Sequence, residues 1–309
     1  MKFGTKIKVV GVGGSGSNAI SRMKKCKIKG VELIALNSDA QDLSKTKADL
    51  KLRIGKKTTR GLGTGMNPEI GRKSALENKE EISEILKGAD MVFIACGLGG
   101  GTGTGAAPVI AAISKELGAL TLAVVTKPFS FEGQVRQKIA ERGIKRLKEN
   151  IDTLITISND KLLSTLDPGT SLLNAFWVCD DILRQAVQGI SDLISLPGII
   201  NVDFADIRSI MTNAGSAIFG IGKAQGERRA EKAVLSAINS PLLDVSVKGA
   251  KGVLFNVSGG KDISLTEIDQ VAKIITQEIN PEAKIIFGAV QDEKLNKKEI
   301  KVTVIATGF

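Results

Sequence analysis

Residues Gly97 to Pro108 read Gly-Leu-Gly-Gly-Gly-Thr-Gly-Thr-Gly-Ala-Ala-Pro and follow directly on the apolar run Met91-Val-Phe-Ile-Ala-Cys96. A strand that empties into glycine and threonine and then enters a helix can cradle an anion. Glycine lets successive backbone N–H groups turn toward one charge, and the helix start adds about half a positive charge. A flexible linker is also rich in glycine, but linkers are not flanked by a buried-type strand and an Ala-rich helix such as Ala106 to Leu117. A second loop, Gly11-Val-Gly-Gly-Ser-Gly-Ser-Asn18, follows the strand-like Ile7–Val10. It satisfies G-x-G-x-x-G between a strand and a helix, with Asn37 about 20 positions further on. Alone, this loop suits a dinucleotide-binding oxidoreductase, although the ribose position holds Asn rather than Asp or Glu, with Asp39 close by. A dinucleotide fold has no use for a second, richer phosphate loop at Gly99–Gly105. Two such loops in one sheet suit a triphosphate held between two helix N-termini. The Walker pattern G-x-x-x-x-G-K-[ST] is absent, so this would be a nucleotide site without a P-loop lysine.

Histidine is missing from all 309 residues. That excludes a Ser-His-Asp triad, a Cys-His pair, His-ligated zinc and an imidazole base. Chemistry falls to carboxylates, backbone dipoles, Lys and Arg, or a bound metal. Cys26, Cys96 and Cys179 lie far apart without CxxC spacing, which reads as free thiols in a reducing cytosol. The 42% apolar content is that of a globular chain, and no apolar stretch approaches the ~18–20 residues of a membrane span. Neither a secretory signal nor membrane insertion is expected. The net charge of +10 comes mostly from scattered lysines with no aromatic residues interleaved to stack on bases. Nucleic acid is therefore not an expected partner.

Between Met1 and about residue 170, strands alternate with helices, the signature of an α/β domain with a parallel sheet. Strands are expected at Ile7–Val12, Val31–Leu36, Met91–Cys96, Leu120–Val125 and Thr153–Ile157. Helices are expected at Gly16–Cys26, Pro68–Leu86 (with a break), Thr104–Leu117 and Glu132–Glu149. Leu172, Leu173, Phe176, Leu183, Val187, Ile190 and Ile194 fall near a 3.6 period, so a long central helix is expected within 171–197, ended by Pro197-Gly198. From 198 to 309 a smaller α+β domain follows. Its expected helices are Glu227–Asn239 and Thr266–Glu278, and its strands Gly252–Ser258, Ala283–Phe287 and Lys301–Ala306.

The Gly97–Pro108 loop resembles the signature loop of the FtsZ family, the tubulin-like GTPases of prokaryotic cell division. Gly11–Asn18, Asn37-Ser-Asp-Ala-Gln41, Lys127-Pro-Phe-Ser-Phe-Glu-Gly133, Asn201-Val-Asp-Phe-Ala-Asp206 and Ser240-Pro-Leu-Leu243 match that family in order and spacing. The resemblance covers residues 6–309. It implies a Rossmann-like GTPase domain, a long central helix and a smaller C-terminal domain. It further implies GTP and GDP as ligands, Mg2+ accompanying GTP with no metal site in the protein itself, and a cytoplasmic protein located at the division site. The partner implied is a second copy of the chain, in head-to-tail filaments that form the division ring, with an active site completed between subunits. Division adaptors bind the family through a C-terminal peptide that this sequence does not show after Phe309.

Residue by residue, the resemblance implies that the backbones of Gly14, Ser15, Gly16 and Ser17, with Gly101, Thr102 and Gly103, hold the phosphates. Glu132 and Arg136 match the ribose and nucleotide contacts, though their i, i+4 spacing also describes a surface salt bridge. Phe176 and Asp180 share a helix face. Phe176 could stack on the base while Asp180 accepts from N1–H and the 2-amino group of guanine, with Asn18 as a second polar contact. Asn201, Asp203 and Asp206 match the loop whose acids, in this family, enter the neighbouring subunit's site and position the attacking water. Asp203 or Asp206 could also cap a helix over Ile207–Met211, and both roles could hold together. A nucleotide-gated scaffold without turnover is the remaining alternative, and the presence of both acids argues against it.

Overall fold

The computed structural model describes residues 4–163, 165–167, 169–195, 198–240, 247–292, 295–296 and 298–309. Pro197, expected to end the central helix, and Pro241–Leu243 of the last matched motif lie outside the described residues. The chain forms two compact units, Met1–Gln188 and Gly189–Phe309.

The first unit runs β1 (Ile7–Val12), α1 (Gly13–Lys25), β2 (Val31–Asn37), α2 (Ala40–Lys45), β3 (Leu50–Arg53) and α3 (Lys56–Thr59). It continues with α4 (Pro68–Glu77), α5 (Lys79–Leu86), β4 (Met91–Gly97), α6 (Gly101–Glu116) and β5 (Leu120–Lys127). A 3-10 turn (Ser130–Glu132), α7 (Gln134–Lys148), β6 (Thr153–Ser158), α8 (Asn159–Leu163) and α9 (Leu172–Ser195) complete it, the last crossing into the second unit. Its strands stand in the order β3-β2-β1-β4-β5-β6, every pair parallel. Both sheet faces are covered, so the strands read as continuous apolar runs; all of Met91–Cys96 is buried. Val10, Val12, Ile34, Leu36, Val92 and Ile94 share one core with residues of α5 and α6.

The expected Pro68–Leu86 helix does break, at Asn78. Buried Asn78 satisfies its side chain there by accepting from the Gly55 N–H at 2.8 Å and donating to Glu81 at 2.8 Å. The α4 start is as expected: Asn67 caps Glu69 N–H at 2.9 Å and Pro68 takes the first helical position.

The second unit contains the last turns of α9, then α10 (Phe204–Met211), β7 (Gly215–Gln225), α11 (Arg229–Ile238), β8 (Gly252–Gly259), α12 (Leu265–Glu278), β9 (Lys284–Gln291) and β10 (Glu299–Thr307). Its strands stand in the order β7-β10-β8-β9, with β10 antiparallel to both neighbours and β8 parallel to β9. Residues of α11 and α12 share its core with Val253, Phe255, Val257 and Val302. Buried Arg229 ties the two helices by pairing with Asp262 and Glu267. The strand β7 is not among the strands expected from sequence, because glycine is a poor strand former. Here Gly220 and Gly222 are required, since a Cβ at either would strike the α11 backbone carbonyls of Ala237 and Ala233.

Candidate functional site

The strand order of the first unit reverses between β1 and β4, and ligands of open parallel sheets sit at such a switch point beyond the strand C-termini. Both glycine loops emerge there, since Gly11 pairs with Ala95 in register. Gly13 (φ 72°) and Gly99 (φ 95°) take left-handed conformations that turn the chain out of each strand. The helices begin earlier than their glycine content suggests, α1 at Gly13 and α6 at Gly101 rather than at Gly16 and Thr104. Tertiary packing overrides propensity at the second of these: a Cβ on Gly105 would overlap the Pro68 carbonyl, so α6 lies directly on α4.

A cleft of about 420 Å³ opens between the two helix starts. Its wall includes Gly13, Gly14 and Ser15 from α1 and Gly101, Thr102 and Gly103 from α6. These are the first-turn positions whose N–H groups find no partner within a helix. Neither first turn carries an acidic residue of its own, and both positive helix ends face the cleft. Thr102 is pinned by Ser38 at 2.7 Å and Thr64 at 3.3 Å. Gly16 and Ser17, expected in the cradle, are not part of the cleft wall. They lie buried in the body of α1, where N–H groups pair four residues back, and this follows from the earlier helix start.

Glu132 and Arg136 both line the cleft and pair with each other. They are not on one helix as expected: Glu132 ends the 3-10 turn, Gly133 breaks the chain at φ 98°, and α7 starts at Gln134. The second Glu132 oxygen accepts from the Phe129 N–H at 2.9 Å, which fixes the carboxylate at the cleft edge. The Phe176 ring stands edge-on to buried Phe129 at 5.2 Å and is 38% exposed, leaving apolar surface open to the cleft.

Asp180 lies one turn along α9 from Phe176 and is buried. Burial pushes its carboxyl up to about 6, against the opposing pull of the Arg22 guanidinium and the Ser15 hydroxyl. Arg22 reaches it at 3.2 Å and Ser15 donates at 3.4 Å. Beside it, burial and the neighbouring Asp180 charge push the Cys179 thiol up to about 12, so that thiol is an inert part of the wall. Asn18 lines the same end. Two residues at this site are not expected from sequence. Arg22 sits at i+4 from Asn18, a spacing that places both on one face of α1. Asn159 follows directly on β6, at the strand end where ligands gather, and its buried Oδ1 has no hydrogen-bond partner among the described residues.

Residues 6–167 match the Tubulin/FtsZ family GTPase domain, and residues 215–309 match the FtsZ family C-terminal domain. FtsZ from M. jannaschii, solved as an empty dimer, is 50% identical across 100% of this chain and 89% of its own, with a TM-score of 0.96. The chain belongs to the FtsZ family. A point mutant of the M. jannaschii FtsZ is 51% identical over 99% of this chain and 91% of its own, with a TM-score of 0.95. CetZ1 from Haloferax volcanii, solved as a GDP-bound monomer, shares the fold at 22% identity and a TM-score of 0.84, over 99% of this chain and 94% of its own. As a tubulin-like FtsZ GTPase, the chain hydrolyses GTP. The strand order of the first unit is also that of dinucleotide-binding enzymes, so family membership, not the fold, removes the oxidoreductase alternative.

Asn201, Asp203 and Asp206 of this FtsZ-family chain belong to the second unit and are not among the residues lining the cleft. The segment before them is pinned to β9: the Ile199 and Ile200 N–H groups donate to Ala289 at 2.7 and 3.2 Å, and Ala289 N–H donates back to Ile200 at 3.1 Å. Asn201 braces the turn by accepting from Gly198 N–H at 2.7 Å. Asp203 stands at the N-cap of α10, yet its side chain makes no capping bond. Asp206 follows in the first turn, and both acids are exposed. No helix among the described residues is long and apolar enough to cross a membrane.

Proposed function

We propose that this chain binds GTP between its two helix starts, assembles head to tail into filaments of the division ring, and hydrolyses GTP where one subunit's Asn201–Asp206 loop meets the next subunit's cleft. One observation carries this reading. The cleft offers donors for phosphates and groups for ribose and base, yet its two carboxylates, Glu132 and Asp180, are each engaged by an arginine. The side chains of Asp203 and Asp206 have no hydrogen-bond or ion-pair partner among the described residues, and they stand at the N-cap and in the first turn of α10, just after the turn braced by Asn201. Binding groups and uncommitted acids thus reside in different units of the chain.

In this reading the first-turn N–H groups of α1 and α6 hold the phosphates, Glu132 accepts a ribose hydroxyl, Phe176 stacks on the base and Asp180 accepts its N1–H and 2-amino protons. Asp203 and Asp206 orient the attacking water, and a carboxylate that accepts a hydrogen bond from that water needs no histidine. Among the described residues no cluster of acidic, Cys or His side chains could hold a metal ion. Mg2+ would be bound by the triphosphate oxygens and water, and would neutralise phosphate charge there. A second copy is also favoured by apolar side chains near the cleft wall in sequence: Leu62 is 85% exposed, Phe131 60% and Trp177 52%. The M. jannaschii FtsZ, solved as a dimer, and CetZ2 from Haloferax volcanii, solved as a protofilament, support self-association as well. Phosphate release per molecule, measured across protein concentrations, tests the reading. It should rise with concentration toward a plateau; a constant non-zero rate down to high dilution contradicts a shared site.

A further inference from the structure

Arg22 makes two contacts that neither the phosphate cradle nor hydrolysis calls for. Its Nε and Nη2 donate to the same Asp180 oxygen, Oδ2, at 3.4 and 3.2 Å, while Ser15 donates to Oδ1 at 3.4 Å. Its guanidinium carbon also stands 4.9 Å from the ring centre of half-exposed Trp177. Well-formed guanidinium–carboxylate pairs are bidentate with distances of about 2.7–2.9 Å. Here both donors share one oxygen at longer range, so the contact is one that a better donor pair can displace.

Guanine offers such a pair. Its N1–H and 2-amino N–H lie side by side on an N–C–N edge, the same pattern that Nε–H and Nη–H make in arginine. We propose that Arg22 sets the guanine preference of the cleft: its guanidinium keeps Asp180 a carboxylate through the donor edge that guanine presents, and guanine takes that edge over while Arg22 withdraws onto Trp177. This rests on the reading of Asp180 as the base-contacting group. Adenine presents an acceptor at N1 and a donor at its 6-amino group. It cannot replace two donors, but it does match a neutral carboxyl, whose O–H donates to N1 while its C=O accepts from the amino group. The charge state of Asp180 therefore decides which purine fits.

The groups facing that carboxyl are few. Arg22 and Ser15 approach from α1, while Asp181 and Cys179 flank it on α9, where Arg184 is turned to Asp181. Burial and Asp181 favour the neutral form; Arg22 and Ser15 oppose them. Without Arg22, Ser15 alone opposes, and the carboxyl rises above its value of about 6.

Calorimetric affinities for GDP and ADP between pH 5.5 and 8 test this on the full chain, for wild type, Arg22→Ala and Arg22→Lys. Wild type should hold its GDP preference above about pH 7 and lose it as pH falls through about 6. In Arg22→Ala the loss should move upward by a pH unit or more, so that the preference at pH 7 drops about ten-fold or more. Arg22→Lys keeps the charge but not the N–C–N donor edge, so its loss of preference should fall between those of wild type and Arg22→Ala. Superposable profiles for wild type and Arg22→Ala overturn the proposal. Trp177 is the chain's one tryptophan and tyrosine is absent, so its emission gives a second readout that needs no variant. Saturating GDP should change that emission in wild type, and an unchanged spectrum overturns the displacement. Wild type that binds GDP and ADP equally at pH 7.5 would instead defeat the parent reading of Asp180, a result visible without any variant.

Discussion

A carboxylate at 6% exposure is costly unless well paired, and among the described residues Asp180 has only the long contacts to Arg22 and Ser15. Its folded-state value of about 6, against an ordinary 3.8, means that the native chain takes up this proton more readily than the unfolded chain. Ionisation of Asp180 thus works against folding as pH rises from about 4 to 6, and at pH 7 the full cost of about 3 kcal/mol is present. Retaining such a group makes sense where guanine repays the cost through two hydrogen bonds. Asp180→Asn should therefore raise the thermal midpoint of the nucleotide-free protein at pH 7 by several degrees, while GDP affinity falls about a hundredfold or more. Thermal melts and calorimetry on the same sample check both halves. A variant that is less stable and binds GDP normally would show that Asp180 is an ordinary paired acid.

At the scale of elements, the cradle depends on how closely α6 approaches α4. A Cβ at Gly105 would overlap backbone atoms of Pro68 and Arg72, and one at Gly71 would overlap the Gly101 carbonyl. At Gly100, by contrast, nothing lies within 4 Å and the backbone is extended. Gly105→Ala should cost about 2 kcal/mol or more of stability and weaken GDP binding by shifting the α6 start, whereas Gly100→Ala should leave stability nearly unchanged. Denaturant unfolding with GDP titration compares the two. The same packing decides what is legible in the sequence. An unbroken apolar run such as Met91–Cys96, bounded by Asp90 and Gly97, suits a strand covered on both faces, and β1 falls at the expected Ile7–Val12. The starts of α1 and α6 are not legible, because three-dimensional contact imposes helix on glycines that prefer to be free, and β7 is hidden for the same reason. Among the site residues, phosphate-loop glycines announce themselves by composition. Arg22 and Asn159 do not, since a single arginine on a helix and an asparagine after a strand are common, and only the contact of Arg22 with Asp180 and the place of Asn159 in the cleft wall give them meaning.

For the whole molecule, the decisive feature is the separation of the groups proposed to bind nucleotide in the first unit from the uncommitted Asp203 and Asp206 in the second. Asp206→Ala should lower GTP turnover about a hundredfold or more, corresponding to about 3 kcal/mol in the barrier, while GDP binding by the isolated subunit is unchanged. Such a variant keeps an intact cleft and lacks only the acid it would lend to a neighbour. The most direct measurement uses that asymmetry. Wild-type protein is held below the concentration at which it releases phosphate, and the Asp206→Ala protein, inactive alone, is titrated in. If the active site is shared, release rises as each wild-type acid loop meets a variant cleft, and it levels off when the wild-type loops are all engaged. If release stays at the level of dilute wild type throughout the titration, each chain carries its own complete site and the shared-site account is wrong.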